Sequence, residues 1–153
     1  MDDHAPQPRL LITGPEGSGT HMLASLIAAL GIEVVNRSLP YAGVWWRYPT
    51  DPEGGVLPER SVIITRRPDV RNLALLGRKP PLAATITEAR AAHDRALRAL
   101  ARIPDAYWLC YEAVCAEPLV QMANVADWLG VPVASELPPV WDANAKWLSF
   151  LEP

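Results

Sequence analysis

The chain has 153 residues, of which 50% are hydrophobic, so it is long enough to fold as one compact domain with a sizeable core. Its formal net charge of -3 argues against a nucleic-acid or membrane-surface footprint over the whole chain, and no apolar run reaches membrane-spanning length. Residues 1–4 are acidic and polar, unlike a secretory leader. We therefore expect a single cytoplasmic domain over residues 1–153, with neither nucleic acid nor membrane as a partner.

The first predicted unit is an apolar strand over Leu10–Thr13, a glycine-rich turn and an amphipathic helix over residues 22–30. Glycines let the backbone curl so that its N–H groups point inward, and the helix adds unpaired N–H groups and the positive end of its dipole. The pattern predicts a site for a phosphate-like anion, and a tight turn without a ligand is the alternative interpretation. The predicted anion-binding residues are Gly14, Glu16, Gly17, Ser18, Gly19, Thr20 and His21.

Two further strands are predicted over residues 33–35 and 61–65, and strands that alternate with helices indicate a parallel sheet. Between them, residues 39–55 are rich in proline, glycine and aromatic side chains, so we expect an irregular loop that shapes a pocket. Arg66 directly follows the third strand, at the edge where open parallel sheets bind ligands. We predict that it contacts a phosphate rather than a structural carboxylate.

The second half of the chain carries further helix signals. A helix opens at Pro68 and stops at Gly77, and a capping box over residues 85–88 opens a helix that runs to about Arg102. On that second helix we expect His93 on a solvated face. A strand over residues 107–112 and a helix over Pro118–Leu129 complete the pattern. The predicted fold is α/β, with three layers of P-loop type around a central parallel sheet.

Four stretches stand in a familiar order, and together they resemble the sulfotransferase family. They are similar to the family's loop for the 5′-phosphosulfate, its strand followed by a 3′-phosphate arginine, its Tyr-Glu and Leu-Gly-Val-Pro run, and its basic carboxy-terminal stretch. In this chain they are residues 17–21, 63–70, 111–132 and 144–147. The resemblance covers most of the chain, and each stretch lies in the predicted strand or helix context that the family requires.

This resemblance implies transfer of a sulfuryl group from 3′-phosphoadenosine 5′-phosphosulfate (PAPS) to a hydroxyl or amine acceptor, leaving adenosine 3′,5′-bisphosphate. It implies that Arg66 grips the 3′-phosphate. Where the family has a serine that helps there, this chain has Ala74, and Asn72 is the expected substitute. The implied reaction needs no metal, and the implied partners are the nucleotide and an acceptor of unknown identity. Since the chain is short for the family, the acceptor side is expected to be open or to be completed in a homo-oligomer.

One departure from the family concerns the charge at the leaving group. The family places lysine or arginine before Ser-Gly-Thr, where negative charge builds on the departing oxygen, and this chain has Gly17. We therefore expect His21 or Lys146 to supply that charge as a catalytic residue. Two alternatives stay open, because His21 is equally compatible with a surface position and Lys146 with a place at the end of the last helix.

Two other functions also stay open. A kinase or phosphohydrolase of P-loop type would need magnesium, and a lysine or arginine from elsewhere in the fold, because Thr20 and His21 stand where its lysine and hydroxyl residue would follow Gly19. A non-catalytic nucleotide-binding or interaction domain would keep the anion site without the charge at position 17. Magnesium dependence of binding separates the first two functions, and turnover separates both from the third.

Overall fold

The computed structural model describes residues 10–15, 17–32, 34–36, 44–46, 60–79, 81 and 83–151. Within these ranges the strands are β1 (Leu10–Thr13), β2 (Val34–Asn36), β3 (Val44–Trp46), β4 (Arg60–Thr65) and β5 (Asp105–Cys110). The helices are α1 (Thr20–Ala28), α2 (Pro68–Leu76), α3 (Ile86–Leu100), α4 (Tyr111–Ala116), α5 (Pro118–Leu129) and α6 (Ala145–Leu148).

The strands form one sheet in the order β2-β3-β1-β4-β5, and every pair of neighbours is parallel. Strand β1 is central, with Leu11 opposite Trp45 on one side and Ser61 on the other. The Ser61 hydroxyl donates to the Leu11 carbonyl at 2.9 Å, which adds a side-chain hydrogen bond between β4 and β1. The predicted parallel sheet is confirmed. Because parallel strands all point the same way, their carboxyl ends meet at one edge of the sheet.

Helices cover both faces of the sheet. Alternate residues of a strand face opposite sides, so Ile12 and Ile64 join one core with α1 and α5, whereas Leu11 and Ile63 join a smaller core with Leu100 of α3. Burying each of these side chains stabilises the fold by about 1.5–3 kcal/mol. The predicted three-layer arrangement is therefore confirmed. None of the described helices is long and apolar enough to cross a membrane.

The predicted helix signals act as expected. The Thr85 hydroxyl accepts from the Glu88 N–H at 3.1 Å and begins α3, while Glu88 Oε2 accepts from the Ala84 N–H at 2.9 Å. Pro68 occupies the first turn of α2, and Gly77 is its C-cap. The bond to Thr85 satisfies one of the N–H groups that the first turn of α3 leaves without an intrahelical partner.

The largest differences from the predicted elements concern β3 and β5. Strand β3 lies inside the stretch expected to be an irregular loop, because Val44 and the two tryptophans after it are the β-branched and aromatic types that favour strands. The rest of that stretch falls outside the described residues. Strand β5 ends at Cys110, and Tyr111 begins α4, so the strand predicted over residues 107–112 is shorter at its end.

His93 does not lie on a solvated face. Its exposed fraction is 8%, because α3 packs against α2 and Arg71 Nη2 donates to the Ala89 carbonyl at 2.8 Å between these helices. Burial lowers the pKa of His93, the nearby charge of Arg71 lowers it further, and Asp94 opposes both. The expectation that His93 is solvated is therefore wrong.

His93 should make stability depend on pH. The pKa of His93 is lower in the folded chain than the ordinary 6.5. As the pH falls below 6.5, the unfolded chain therefore binds a proton at His93 more readily than the folded chain does. We expect the free energy of unfolding to decline from pH 7 to pH 5, at no more than about 1.4 kcal/mol per pH unit from this group. Urea titrations of wild type and His93→Gln measure it, and identical pH slopes for the two proteins would contradict the prediction.

Candidate functional site

A cavity of about 410 Å³ opens at the carboxyl ends of β1 and β4. Its polar wall comes from the glycine loop, the first turn of α1, the end of β4 and the residues after α2, and includes Gly17, Gly19, Thr20, His21, Arg66 and Arg78. Its apolar wall comes from α1 and from residues 138–144, which we name the closing segment, and includes Met22, Leu26, Pro138, Pro139 and Trp141. A volume of this size falls within the roughly 300–1,000 Å³ that is typical of small-molecule sites.

The loop between β1 and α1 is a tight turn, held by a 3.0 Å bond from the Ser18 N–H to the Pro15 carbonyl. Gly17 and Gly19 have φ of +78° and +95°, which side chains rarely adopt. A Cβ at Gly17 would also lie 3.2 Å from Leu75 Cδ2. The backbone conformation thus explains why glycine stands where a basic residue was expected. Gly19 is the N-cap of α1 and offers no side-chain cap to its N–H groups.

Arg66 is the charged centre of the site, with an exposed fraction of only 8%. Its Nε donates to Asn144 Oδ1 at 2.6 Å, and its Nη1 donates to the Gly17 carbonyl at 3.0 Å. Its Cζ lies 4.7 Å from the centre of the Tyr111 ring. The buried Nη2 has no hydrogen-bond partner among the described residues. Two of the three guanidinium nitrogens are therefore fixed by the protein, and the third is left for another acceptor.

Glu112 anchors the partner of Arg66. Its Oε1 accepts from the Asn144 amide at 2.7 Å and from the Arg67 N–H at 3.0 Å, and its Oε2 accepts from the Cys110 thiol at 3.1 Å. Burial raises the pKa of Glu112, but these three hydrogen bonds outweigh burial and hold the pKa below its ordinary value. The carboxylate thus stays ionised at neutral pH and keeps accepting all three bonds.

Tyr111 holds the closing segment in place. Its hydroxyl donates to the Trp141 carbonyl at 3.0 Å and accepts from the Ala143 N–H at 2.8 Å. Burial raises the pKa of Tyr111 to about 12, so the phenol keeps its proton and its donor bond at neutral pH. The Trp141 side chain itself is 80% exposed at the rim of the cavity. The closing segment is thus fixed through its backbone, while an aromatic ring remains open to a ligand.

The comparison with solved structures finds one described as the crystal structure of mouse sulfotransferase SULT7A1 complexed with PAP, at a TM-score of 0.55. The fold is sulfotransferase-like. The likeness covers 98% of this chain and 64% of that chain, so this chain spans about two thirds of its neighbour's length, at 14% sequence identity. At that identity the likeness concerns the fold alone. No protein-family model matches the chain, and the comparison with curated proteins finds no relative.

Most of the predicted anion-binding residues meet at the cavity of this sulfotransferase-like fold. Its wall includes Gly17, Gly19, Thr20, His21 and Arg66. Ser18 lies within the same loop but is fully buried, and its hydroxyl has no partner among the described residues. Glu16 lies outside the described residues.

Three other predicted site residues are not part of the cavity wall. Gly14 packs against β4, where a Cβ would lie 2.2 Å from the Ile64 carbonyl oxygen. Asn72 is buried, and its Oδ1 accepts from Arg71 Nη2 at 3.0 Å. Lys146 is exposed on α6, with its Nζ 4.8 Å from the centre of the neighbouring tryptophan ring. None of these three residues therefore lines the pocket.

Several residues of the site were not assigned from sequence, among them Tyr111, Glu112, Asn144 and Arg78. Tyr111, Glu112 and Asn144 lie in the stretches that resemble the family, but nothing in their spacing shows that they meet around Arg66. Arg78 lines the cavity together with Ala74. The available signal was the cluster of basic residues between positions 60 and 79, to which Arg78 belongs.

The close packing of the glycine loop can be tested by comparing the free energies of unfolding of two alanine variants. Gly19→Ala and Gly31→Ala both place alanine at a positive φ, +95° and +81°, but only at Gly19 would the new Cβ lie 2.6 Å from Tyr111 Cδ2. Gly31 has open space around it. We expect Gly19→Ala to lose about 1–3 kcal/mol more than Gly31→Ala in free energy of unfolding, the usual range for overpacking. Urea unfolding of the two variants measures the difference, and equal losses would show that the Tyr111 ring yields without cost.

Proposed function

We propose that the cavity binds PAPS or its product adenosine 3′,5′-bisphosphate, and that the protein transfers a sulfuryl group from PAPS to a hydroxyl or amine acceptor. The observation that carries this proposal is the guanidinium of Arg66, buried in the cavity wall with Nη2 lacking a partner among the described residues. A buried donor without an acceptor is unfavourable by about 1–3 kcal/mol, and by more for a charged group. An anionic ligand oxygen would supply that acceptor.

The surroundings of Arg66 favour a ligand of the nucleotide class. The uncapped start of α1 and the glycine loop present backbone N–H groups, which together with a helix dipole bind phosphate-like groups. Arg78 adds a second cationic side chain to the wall. The apolar wall, with Leu26, Pro139 and Trp141, offers surface for a flat ring. A molecule with separated anionic groups and one aromatic base fits both walls.

PAPS would supply an activated sulfuryl group, and its transfer leaves extra negative charge on the 5′-phosphate. The acceptor oxygen or nitrogen forms a bond to sulfur, the bond from sulfur to the phosphate oxygen breaks, and the acceptor proton passes to solvent. The chain's part is to hold the nucleotide and to stabilise the charge on the departing phosphate through the N–H groups at the start of α1. His21 lines the cavity from that first turn and is the side chain we assign to this charge.

The two alternative functions make different demands. A kinase or phosphohydrolase requires magnesium and a phosphate-gripping cation, for which Arg66 and Arg78 are the arginines of the cavity wall. A non-catalytic nucleotide-binding domain requires the same cavity without turnover. The sulfotransferase proposal is preferred because the four stretches of resemblance and the fold agree with it.

Binding of the bisphosphate is the direct test of the proposal. We expect adenosine 3′,5′-bisphosphate to raise the melting temperature without magnesium, since a ligand at one hundred times its Kd stabilises by about 2.7 kcal/mol. Arg66→Ala should weaken the bisphosphate by about 2 kcal/mol and leave adenosine 5′-monophosphate nearly unchanged, because a charge-assisted bond to the 3′-phosphate is lost. Thermal shift and isothermal titration calorimetry measure these effects.

The neighbouring arginine provides the matched control. Arg67 is exposed and paired with Asp69 at 2.7 Å, so Arg67→Ala should leave both affinities as in wild type. A melting temperature that responds to ATP with magnesium but not to the bisphosphate would overturn the proposal. Equal losses of both ligands in Arg66→Ala would instead mean that Arg66 has only a structural role.

Substitutions that remove or keep a positive charge at position 21 test the role of His21. If the His21 side chain stabilises the leaving phosphate, replacing it should slow sulfuryl transfer far more than it weakens binding of the bisphosphate. His21→Gln should lower kcat by about one hundredfold or more with little change in bisphosphate affinity, while His21→Arg should retain activity because arginine carries a positive charge. Lys146→Ala is the control, because Lys146 lies outside the cavity wall. A rate unaffected by His21→Gln would remove His21 from the reaction.

A further inference from the structure

Arg66 is held by a neutral side chain rather than by a carboxylate. The Arg66 Nε donates to the amide oxygen of Asn144 at 2.6 Å. The carboxylate of Glu112 does not bond Arg66 itself, but accepts from the amide nitrogen of Asn144 at 2.7 Å. A guanidinium only donates hydrogen bonds and a carboxylate only accepts them. An amide can satisfy both at once, because it has a donor and an acceptor on the same group.

The order of these three side chains fixes the orientation of each. The Glu112 carboxylate can only accept, so it selects the amide nitrogen of Asn144 and turns the amide oxygen towards Arg66. Glu112 is itself fixed by the Arg67 N–H at 3.0 Å. At the far side of the guanidinium, Nη1 bonds to the Gly17 carbonyl at 3.0 Å. The guanidinium plane is therefore set by contacts at Nε and Nη1, and Nη2 is the nitrogen that remains for a ligand.

We propose that Glu112 and Asn144 are positioning residues, which orient Arg66 for the 3′-phosphate while leaving its positive charge uncompensated by a direct ion pair. This inference rests on the proposed function. A carboxylate in the place of the Asn144 amide would form the direct pair and weaken the attraction for a phosphate. The neutral amide orients the guanidinium without that loss. The Asn144 side chain thus sets the preference for a nucleotide that carries a 3′-phosphate.

The test is the preference ratio, defined as the affinity for adenosine 3′,5′-bisphosphate divided by the affinity for adenosine 5′-monophosphate, measured by calorimetry on the full chain. Asn144→Ala and Glu112→Ala should each lower this ratio about tenfold, the equivalent of one hydrogen bond. Glu112→Gln should keep the ratio near that of wild type, because its amide oxygen still accepts from Asn144. The double variant Asn144→Asp, Glu112→Gln should lower it as well, since the new carboxylate pairs directly with Arg66 and no second carboxylate lies beside it.

Two comparisons separate positioning from general loss of structure. Asp142→Ala removes the acceptor of the 2.9 Å bond that the Asn144 N–H donates to Asp142 Oδ1. This change lies in the same segment but does not touch Arg66, so it should leave the ratio unchanged. In an Arg66→Ala background, Asn144→Ala should cause no further fall in the ratio, because its effect passes through Arg66. Circular dichroism of each variant confirms folding, and the double variant Asn144→Asp, Glu112→Gln gives the ratio if Asn144→Ala does not fold.

The outcomes distinguish the two proposals. If wild type prefers the bisphosphate, and Asn144→Ala and Glu112→Ala both keep that preference, the positioning role is overturned and the proposed function stands. An equal fall in Asp142→Ala would also overturn it, because the effect would belong to docking of the closing segment. Wild type with no preference for the bisphosphate would overturn both.

Discussion

The guanidinium of Arg66 imposes the constraint around which the rest of the site is arranged. An arginine side chain cannot give up its charge, so a fold that buries it has to supply acceptors from several directions. The glycine loop, α4 and the closing segment each contribute to that requirement, through Gly17, Tyr111 and Asn144. These elements are distant in sequence, and the charge gives them a common point of contact at the end of β4.

Close packing reinforces the electrostatic arrangement. Gly19 brings the start of α1 against the ring of Tyr111, and the hydroxyl of the same tyrosine holds the backbone on both sides of Asp142. One aromatic side chain therefore sets the distance between the anion loop and the closing segment. Gly77 has a similar role beyond the pocket, where a Cβ would lie 2.4 Å from the Trp147 ring. The closing segment and the helix after it are thus pinned to α4 and to the end of α2.

Local patterns predicted much of the framework and less of the site. The strand, loop and helix around Gly17 and the helix begun by Thr85 follow from signals within a few residues, so sequence sufficed. The burial of His93 depends on which face of α3 packs against α2, and a polar residue in the sequence does not show that it lies on the buried face. Asn72 and Lys146 were assigned by analogy with a family pattern, whereas packing places them away from the cavity. The bonds between Glu112, Asn144 and Arg66 join parts of the chain that no local pattern connects.

The closing segment also bears on when the protein can first hold a nucleotide. Residues of the anion loop are made early in synthesis, and the sheet is complete once Cys110 has been added. The apolar wall at Pro139 and Trp141 and the acceptor at Asn144 come last among the site residues. A nascent chain that stops short of them carries an incomplete pocket. Nucleotide binding can therefore stabilise the finished domain, but it cannot assist the earlier steps by which the sheet forms.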